Sequence, residues 1–424
     1  MKANSYMTII PKNKEDLESV DRLLANLENA KGCRIVSKEM IDGDKPLVTV
    51  GGFDYTRGMK LLVEVDGVEY KTLILPIQFE IPPMVRLQHY FRDVDMEIIS
   101  GSQLGLDVVM EFGEDAFASY HAQLKIVAGL IPDAVAVLDD SAQKILSGRW
   151  VKFAASSAVH PAPRYIYSVQ GVNDEAKDDV WLHTHGLSRC GITDLEILNS
   201  HKATCDIHCN IIDAMATRLL QEPMDEGEPM FLTRTTSGHT IVVTYRNWKE
   251  SLSMYPENVL GGMEDRNEGH NEDTSCVFVY PTYQDYEEKR VAPVDIFDEV
   301  LADNPIYMFT ATETERMKRL ALERISYMER LAADKNNTVI VKIGLDIDEE
   351  YKEEADFQRE HIWFEIKEVG NGQITAELTQ DPYYVKGIKT GYIGTYSYDY
   401  VTDWIAYTPE GRLTPDDVYI LDVE

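Results

Sequence analysis

Residues 116–138 read AFASYHAQLKIVAGLIPDAVAVL. Ala116–Leu130 reads as a helix, and Ala134–Leu138 then reads as a buried strand, a short apolar run of the kind found in sheets covered on both faces. A helix handing over directly to a buried strand predicts mixed α and β layers. Toward the N-terminus the pattern continues. Tyr6–Ile10 is a short strand. Asn13–Asn29 places Leu17, Val20, Leu24 and Leu27 at the spacing of an amphipathic helix capped by Asn13. Arg34–Glu39, Leu47–Val50, Lys60–Val65 and Leu73–Glu80 read as strands, with Asp66-Gly67 as a hairpin turn. Pro76 marks Leu73–Glu80 as an edge strand, because proline cannot donate to a ladder. Pro82-Pro83 opens a helix toward Phe91, and Leu104–Phe112 alternates like a further strand.

Toward the C-terminus, Tyr165–Val172 and Val180–His185 form a strand pair around the polar segment Asn173–Asp179. The loop Gly186–Ile192 follows. Thr193 is placed to cap a helix starting at Asp194, and a longer helix covers Cys205–Leu220. Thr240–Tyr245 and Cys276–Tyr280 are β-like, and Glu264–Asp273 between them is an acidic loop. Thr312-Glu313-Thr314-Glu315 has the form of a capping box. Met317, Leu320, Ala321, Ile325, Met328 and Leu331 follow as one helical stripe that packs on a neighbour. The remainder, Thr338–Glu424, is strand-rich. The fold class is α+β: N-terminal and middle mixed α/β layers with antiparallel-rich sheets, plus a small C-terminal twisted β domain. The expected domains are residues 1–160, 161–290 and 291–424.

The chain has 41 Lys and Arg against 73 Asp and Glu, a formal charge of −32. That field repels a phosphate backbone and an anionic membrane at long range, so neither nucleic acid nor membrane is the expected partner. The acidity serves solubility, and it suits a partner with a basic surface. The longest apolar stretches, such as Leu73–Ile77, are strand-length, far short of the roughly 20 residues of a spanning helix. No signal-peptide pattern opens the sequence. The 5 cysteines are an odd set, which fits a reducing compartment better than a disulfide scaffold. Together these point to the cytoplasm.

No phosphate-binding loop, dinucleotide fingerprint or nucleophile elbow occurs. Asp346, Asp348 and Glu350 alternate as a calcium loop begins, but without its central glycine and closing glutamate they read as a solvated acidic turn. One patch is dense in soft ligands: His183, His185, Cys190, His201, Cys205, His208 and Cys209. Zinc takes thiolate and imidazole, usually four in a tetrahedron. His183 and His185 share a strand face, and Cys205 and Cys209 share a helix face. Packing and polar satisfaction are the alternative reading, since cysteine is commonly just buried.

Three resemblances add to this. His183-Thr184-His185, seven residues, Thr193, two residues and Glu196 resembles the JAMM metalloprotease motif, His-x-His, seven residues, Ser, two residues, Asp, on a strand, loop and helix start. It implies zinc held by His183 and His185 with Glu196 in the place of the motif's aspartate; Cys190 of the patch is a further candidate ligand. Trp181–Leu187, Arg189-Cys190-Gly191 and Leu195-Glu196 resemble the uncharacterised family DUF4026. Glu360–Glu365, Asp381-Pro382-Tyr383-Tyr384 and Asp403-Trp404-Ile405 resemble another, DUF2314, both being bacterial. The last two imply an arrangement and no catalytic residue.

The C-terminal region pairs Ile362–Val369 with Ile374–Leu378 across Gly370-Asn371-Gly372. Its many tyrosines stabilise a sheet and also suit a binding surface. His361, Trp363, Tyr383, Tyr384 and Trp404 are the candidate binding residues. Glu360 and His361 could form an acid–base pair, though a surface hydrogen bond is the commoner arrangement. The leading function is a non-catalytic protein-interaction or regulatory protein, of the sort found among bacterial immunity and accessory proteins. The alternative is a zinc-dependent hydrolase on His183 and His185, and a purely structural zinc is the third. No motif demands a cofactor, and zinc is the one metal the patch could take.

Overall fold

The computed structural model describes residues 2–422 apart from 18, 43–47, 51–52, 56, 82–90, 174–176, 236–237, 267–272, 303–305, 308–309 and 353–356. The helix expected from Pro82-Pro83 lies outside the described residues. The chain divides into two compact units, residues 1–156 with 161–308, and residues 157–160 with 309–424.

The first unit contains two large sheets. Strands β1 (Ser5–Ile10), β2 (Cys33–Asp42), β3 (Val48–Val50), β4 (Phe53–Tyr55), β5 (Arg57–Val65), β6 (Val68–Gln78), β7 (Leu104–Met110), β8 (Ala136–Asp139) and β9 (Lys144–Ser147) come first. Seven of them form a sheet in the order β2-β5-β6-β7-β1-β8-β9, and β3 pairs with β4 separately. Every pairing in the seven-stranded sheet is antiparallel. Alternate residues of β6 are buried, as a strand with one core face requires. β6 is not an edge strand, despite Pro76. Its ladder with β5 reaches only to Met59↔Ile74, so at Pro76 the described pairing is with β7 alone and the missing N–H breaks no recorded bond.

The helix Ala116–Leu130 lies as expected and is buried on nearly every side. The first helix starts later than its apolar spacing suggests, at Val20, where the Ser19 hydroxyl accepts from Arg22 N–H at 3.2 Å. Asn13 instead precedes a short 3-10 turn, Lys14–Leu17.

Eight further strands build the second sheet: β10 (Ser168–Asn173), β11 (Asp179–His185), β12 (Asp194–His201), β13 (Met230–Arg234), β14 (Thr240–Asn247), β15 (Thr274–Val279), β16 (Ala292–Pro293) and β17 (Ile306–Tyr307). The order is β10-β11-β12-β15-β14-β13-β17, with β16 beside β15. Asp194 opens a strand here, not the expected helix. β12 is central, antiparallel to β11 and parallel to β15, and six of its eight residues are buried. The helix Cys205–Gln221 packs against β11 and β12.

A polar seam connects the two sheets. Arg189, fully buried, makes a bidentate pair with Asp139 at 2.8 and 2.9 Å, and also donates to Ser5 Oγ at 3.0 Å and to the Ile166 carbonyl. Removing one partner of such a pair costs about 3–5 kcal/mol, because the other charge stays buried. Lys144, also buried, donates to the carbonyls of Arg164 at 3.3 Å, Tyr165, and Tyr167 at 2.8 Å. Burial pulls its ammonium down to about 7, while the three carbonyl oxygens favour the charged form.

The second unit carries β18 (Thr338–Asp346), β19 (Arg359–Gly370), β20 (Gln373–Leu378), β21 (Ile393–Ser397), β22 (Val401–Thr408) and β23 (Gly411–Leu413). They form one antiparallel sheet in the order β21-β20-β19-β18-β22-β23. The chain is thus a mixed α and β fold with antiparallel-rich sheets and a smaller C-terminal sheet. Asn371 (φ 54) and Gly372 (φ 77) join β19 to β20 in the left-handed conformation a two-residue hairpin needs. Phe364, Val341 and Trp404 are fully buried on the inner face, each worth roughly 1.5–3 kcal/mol of apolar burial. The helices Ala311–Glu323 and Ile325–Ala333 pack against this sheet. Thr310, two residues before the expected box, is the cap: its hydroxyl accepts from Glu313 N–H at 3.0 Å. The apolar stripe is split at Arg324, whose side chain bonds the Pro415 carbonyl.

Candidate functional site

On β11, residues Trp181, His183 and His185 alternate onto one face of the sheet. Their rings run in series, with centroids 4.8 Å apart at each step. Glu196 lies opposite His183 in the register, and Cys276 of β15 lies opposite Glu196. The Glu196 carboxylate is fully buried and already engaged. It accepts from Trp181 Nε1 at 2.9 Å, Thr274 Oγ1 at 2.9 Å and Arg266 at 2.8 Å, with Cys276 Sγ at 3.6 Å.

Arg266 supplies the cation. Its guanidinium carbon sits 3.7 Å from the centre of the Trp248 ring and 5.1 Å from that of Trp181. Its Nε donates to the Gly261 carbonyl at 3.0 Å and its Nη1 to Thr274 Oγ1 at 3.1 Å. Trp181, Leu198, Trp248, Tyr255, Val259, Cys276 and Phe278 form the apolar cluster around it. Gly261 is needed at this wall. At φ +86 it is left-handed, and an added Cβ would stand 2.6 Å from Trp181.

The other members of the patch scatter. Cys190 ends a 3-10 turn, and burial pushes its thiol up to about 12, a neutral S–H. Cys205 and Cys209 share the helix Cys205–Gln221, with Cys209 pushed by burial to about 11. His208 is buried between Ser200 Oγ and Asp298 Oδ1, each at 2.8 Å, and burial holds its pKa down. His201 Nδ1 stands 3.8 Å from Asp179. Among the described residues, no three His, Cys, Asp or Glu side chains come together to hold a metal ion. Asp194–His201 is a strand where the JAMM arrangement has a helix start, and Glu196 already accepts from Trp181, Thr274 and Arg266. What Glu196 forms is a buried ion pair with Arg266, whose guanidinium lies over two indoles.

Arg266 escaped the sequence reading. Its one signal is that no other Lys or Arg occurs between Lys249 and Lys289, in a stretch rich in acids.

The C-terminal candidates separate into three places. Trp404 is in the core, its Nε1 donating to the Ala321 carbonyl at 3.1 Å. His361 and Trp363 share the opposite face of β19, where His361 Nδ1 meets Thr402 Oγ1 at 3.1 Å and Lys342 Nζ lies 5.2 Å over the Trp363 ring. Burial and the cations Lys342, Arg359 and Lys318 push the His361 pKa down. Glu360 does not meet His361. Its two oxygens accept the backbone N–H groups of Tyr383 and Tyr384, each at 2.8 Å.

Two more carboxylates fix the same loop. Asp348 accepts from Lys386 N–H at 2.7 Å, and Asp381 accepts the Thr390 N–H and hydroxyl, both at 2.8 Å. Those Thr390 donors hold the Asp381 carboxyl below its ordinary range. The Tyr384 ring meets Tyr351 and Phe357 edge-on at 5.5 and 5.1 Å. Tyr383 is left 80% exposed on a backbone pinned by charge-assisted bonds.

Among the described residues, no helix is long and apolar enough to cross a membrane. Residues 5–161 match the model described as Protein of unknown function (DUF4026) N-terminal, and residues 166–278 match its C-terminal counterpart. The resemblance read from Trp181–Glu196 therefore extends over the first sheet as well. No curated protein and no solved structure matches the chain.

Proposed function

We propose, for a chain that belongs to the DUF4026 family of proteins of unknown function, a non-catalytic protein-interaction or regulatory role. The Tyr383–Tyr384 loop is the docking element and a protein with a basic surface is the partner. The observation that carries this is the carboxylate clamp. A tyrosine held 80% exposed on an immobilised backbone offers contact area at little entropic cost on binding. The formal charge of −32 supplies attraction at long range. The likeness of Glu360–Glu365 and Asp381–Tyr384 to DUF2314, the cytoplasmic location and the division at residues 160 and 290 are parts of the same proposal.

The test is affinity capture with the full chain beside Tyr383→Ala and Glu360→Gln. A partner retained by the wild type, lost in both variants and released by salt supports the reading. A partner set that neither variant alters removes this loop from the function. Stoichiometric zinc in native protein, lost in His183→Ala, would move the assignment to the hydrolase alternative.

A further inference from the structure

We propose that the slot between Trp181 and Trp248, above Glu196, is a guanidinium-binding pocket that Arg266 occupies in cis and that takes the arginine side chain of a basic partner in exchange. This goes beyond the docking role given to the Tyr383 loop and uses none of its residues.

Two of the anion's donors belong to the pocket wall and not to Arg266. Trp181 Nε1 donates to one Glu196 oxygen and Thr274 Oγ1 to the other. Glu196 is fully buried, so a vacated slot would leave an uncompensated charge in a dry site. Withdrawal of Arg266 is therefore coupled to arrival of another cation. The slot's shape chooses which. Two indoles at 3.7 and 5.1 Å from the guanidinium carbon select a flat, weakly hydrated cation over a compact ammonium. The bonds to Gly261 O, Thr274 Oγ1 and Glu196 Oε1 use donors on all three guanidinium nitrogens.

The residues before Arg266 are at the surface. Arg266 follows the 3-10 turn Met263–Asp265, whose three residues are all exposed, Met263 at 66%. Asp265 accepts from Gly261 N–H at 2.9 Å, which ties this turn to the pocket wall. Glu264 and Asp265 are exposed acids next to Arg266 in sequence, and they would attract a basic segment before exchange.

The experiment uses the full chain and its Arg266→Ala variant. Ethylguanidinium, the lost side-chain end, is added beside ethylammonium at equal concentration, and the thermal midpoint and tryptophan fluorescence are followed. The expected result is a lowered midpoint in the variant that ethylguanidinium restores and ethylammonium does not. A tetra-arginine peptide should then bind the variant tighter than the wild type by about tenfold, since the plug competes, while tetra-lysine shows no such difference. Equal rescue by both cations overturns the pocket. Equal arginine-peptide binding by variant and wild type, or none by the wild type at any concentration, overturns the exchange. If Arg266→Ala does not fold, Arg266→Lys keeps the charge, gives up the flat stack and carries the same comparisons.

Discussion

Two glutamates do opposite things with the same chemistry. Glu196 is fully buried and accepts from side chains, an indole, a hydroxyl and a guanidinium. Glu360 is half-buried and accepts from two backbone N–H groups. The first seals a sheet face under a loop. The second fixes a loop so that an aromatic ring stays in water. Burial sets the difference: a desolvated carboxylate must be fully satisfied, whereas one near solvent gains modestly from each bond.

The largest test of that contrast is Glu196→Ala, which should cost about 3–5 kcal/mol in urea unfolding because it breaks the buried pair with Arg266. Equal losses for Glu196→Ala and Glu360→Ala would break the comparison.

The pH dependence sharpens it next. Burial pushes the Asp194 carboxyl up to about 6, against the three bonds it accepts from Thr184, Leu187 and Ser188. The native state then holds its proton more tightly than the unfolded chain. The stabilisation is greatest below about pH 4 and is lost as pH rises to about 6, amounting to up to about 3 kcal/mol. Asp194→Asn should flatten that slope in denaturation curves taken across this range. Asp381 in the exposed loop has the reverse sign, its contribution being lost as pH falls.

Gly261→Ala comes third. Its left-handed φ of +86 and the 2.6 Å approach to Trp181 predict a loss of about 2 kcal/mol and a shifted tryptophan emission. Glu360→Ala should cost about 1 kcal/mol. Tyr383→Ala is the smallest, within about 0.5 kcal/mol of wild type in stability, while partner capture is lost.

Legibility followed burial in the same way. β6, with one covered face, alternates cleanly, and its second half was readable as a strand though not its place inside the sheet; β19 alternates around Ile362–Phe364, where it was readable. The helix Ala116–Leu130 was readable to the residue. β12 was not. Covered on both faces, it loses alternation, and its buried Asp194 and Glu196 look like the polar start of a helix after Thr193. The histidine pair was visible because its members are neighbours in sequence. The residues packed with neighbouring Trp181, Arg266 and Trp248, come from 50 or more residues away and carry no local mark. The Glu360 clamp was hidden for a different reason. Its donors are backbone amides, which every residue but proline possesses.

The place of β1 has a consequence for synthesis. It is made before the rest of its sheet, yet its partners are β7 and β8, which end at Met110 and Asp139. At the ribosome's pace of about 5–20 residues per second, this strand waits on the order of ten seconds for its second neighbour. During that interval Met7, Ile9 and Ile10, which end fully buried, are in solvent. The meander β2-β5-β6 closes on itself first and cannot shelter them, because β7 must stand between. A chaperone that holds nascent apolar segments has a target at Ser5–Ile10.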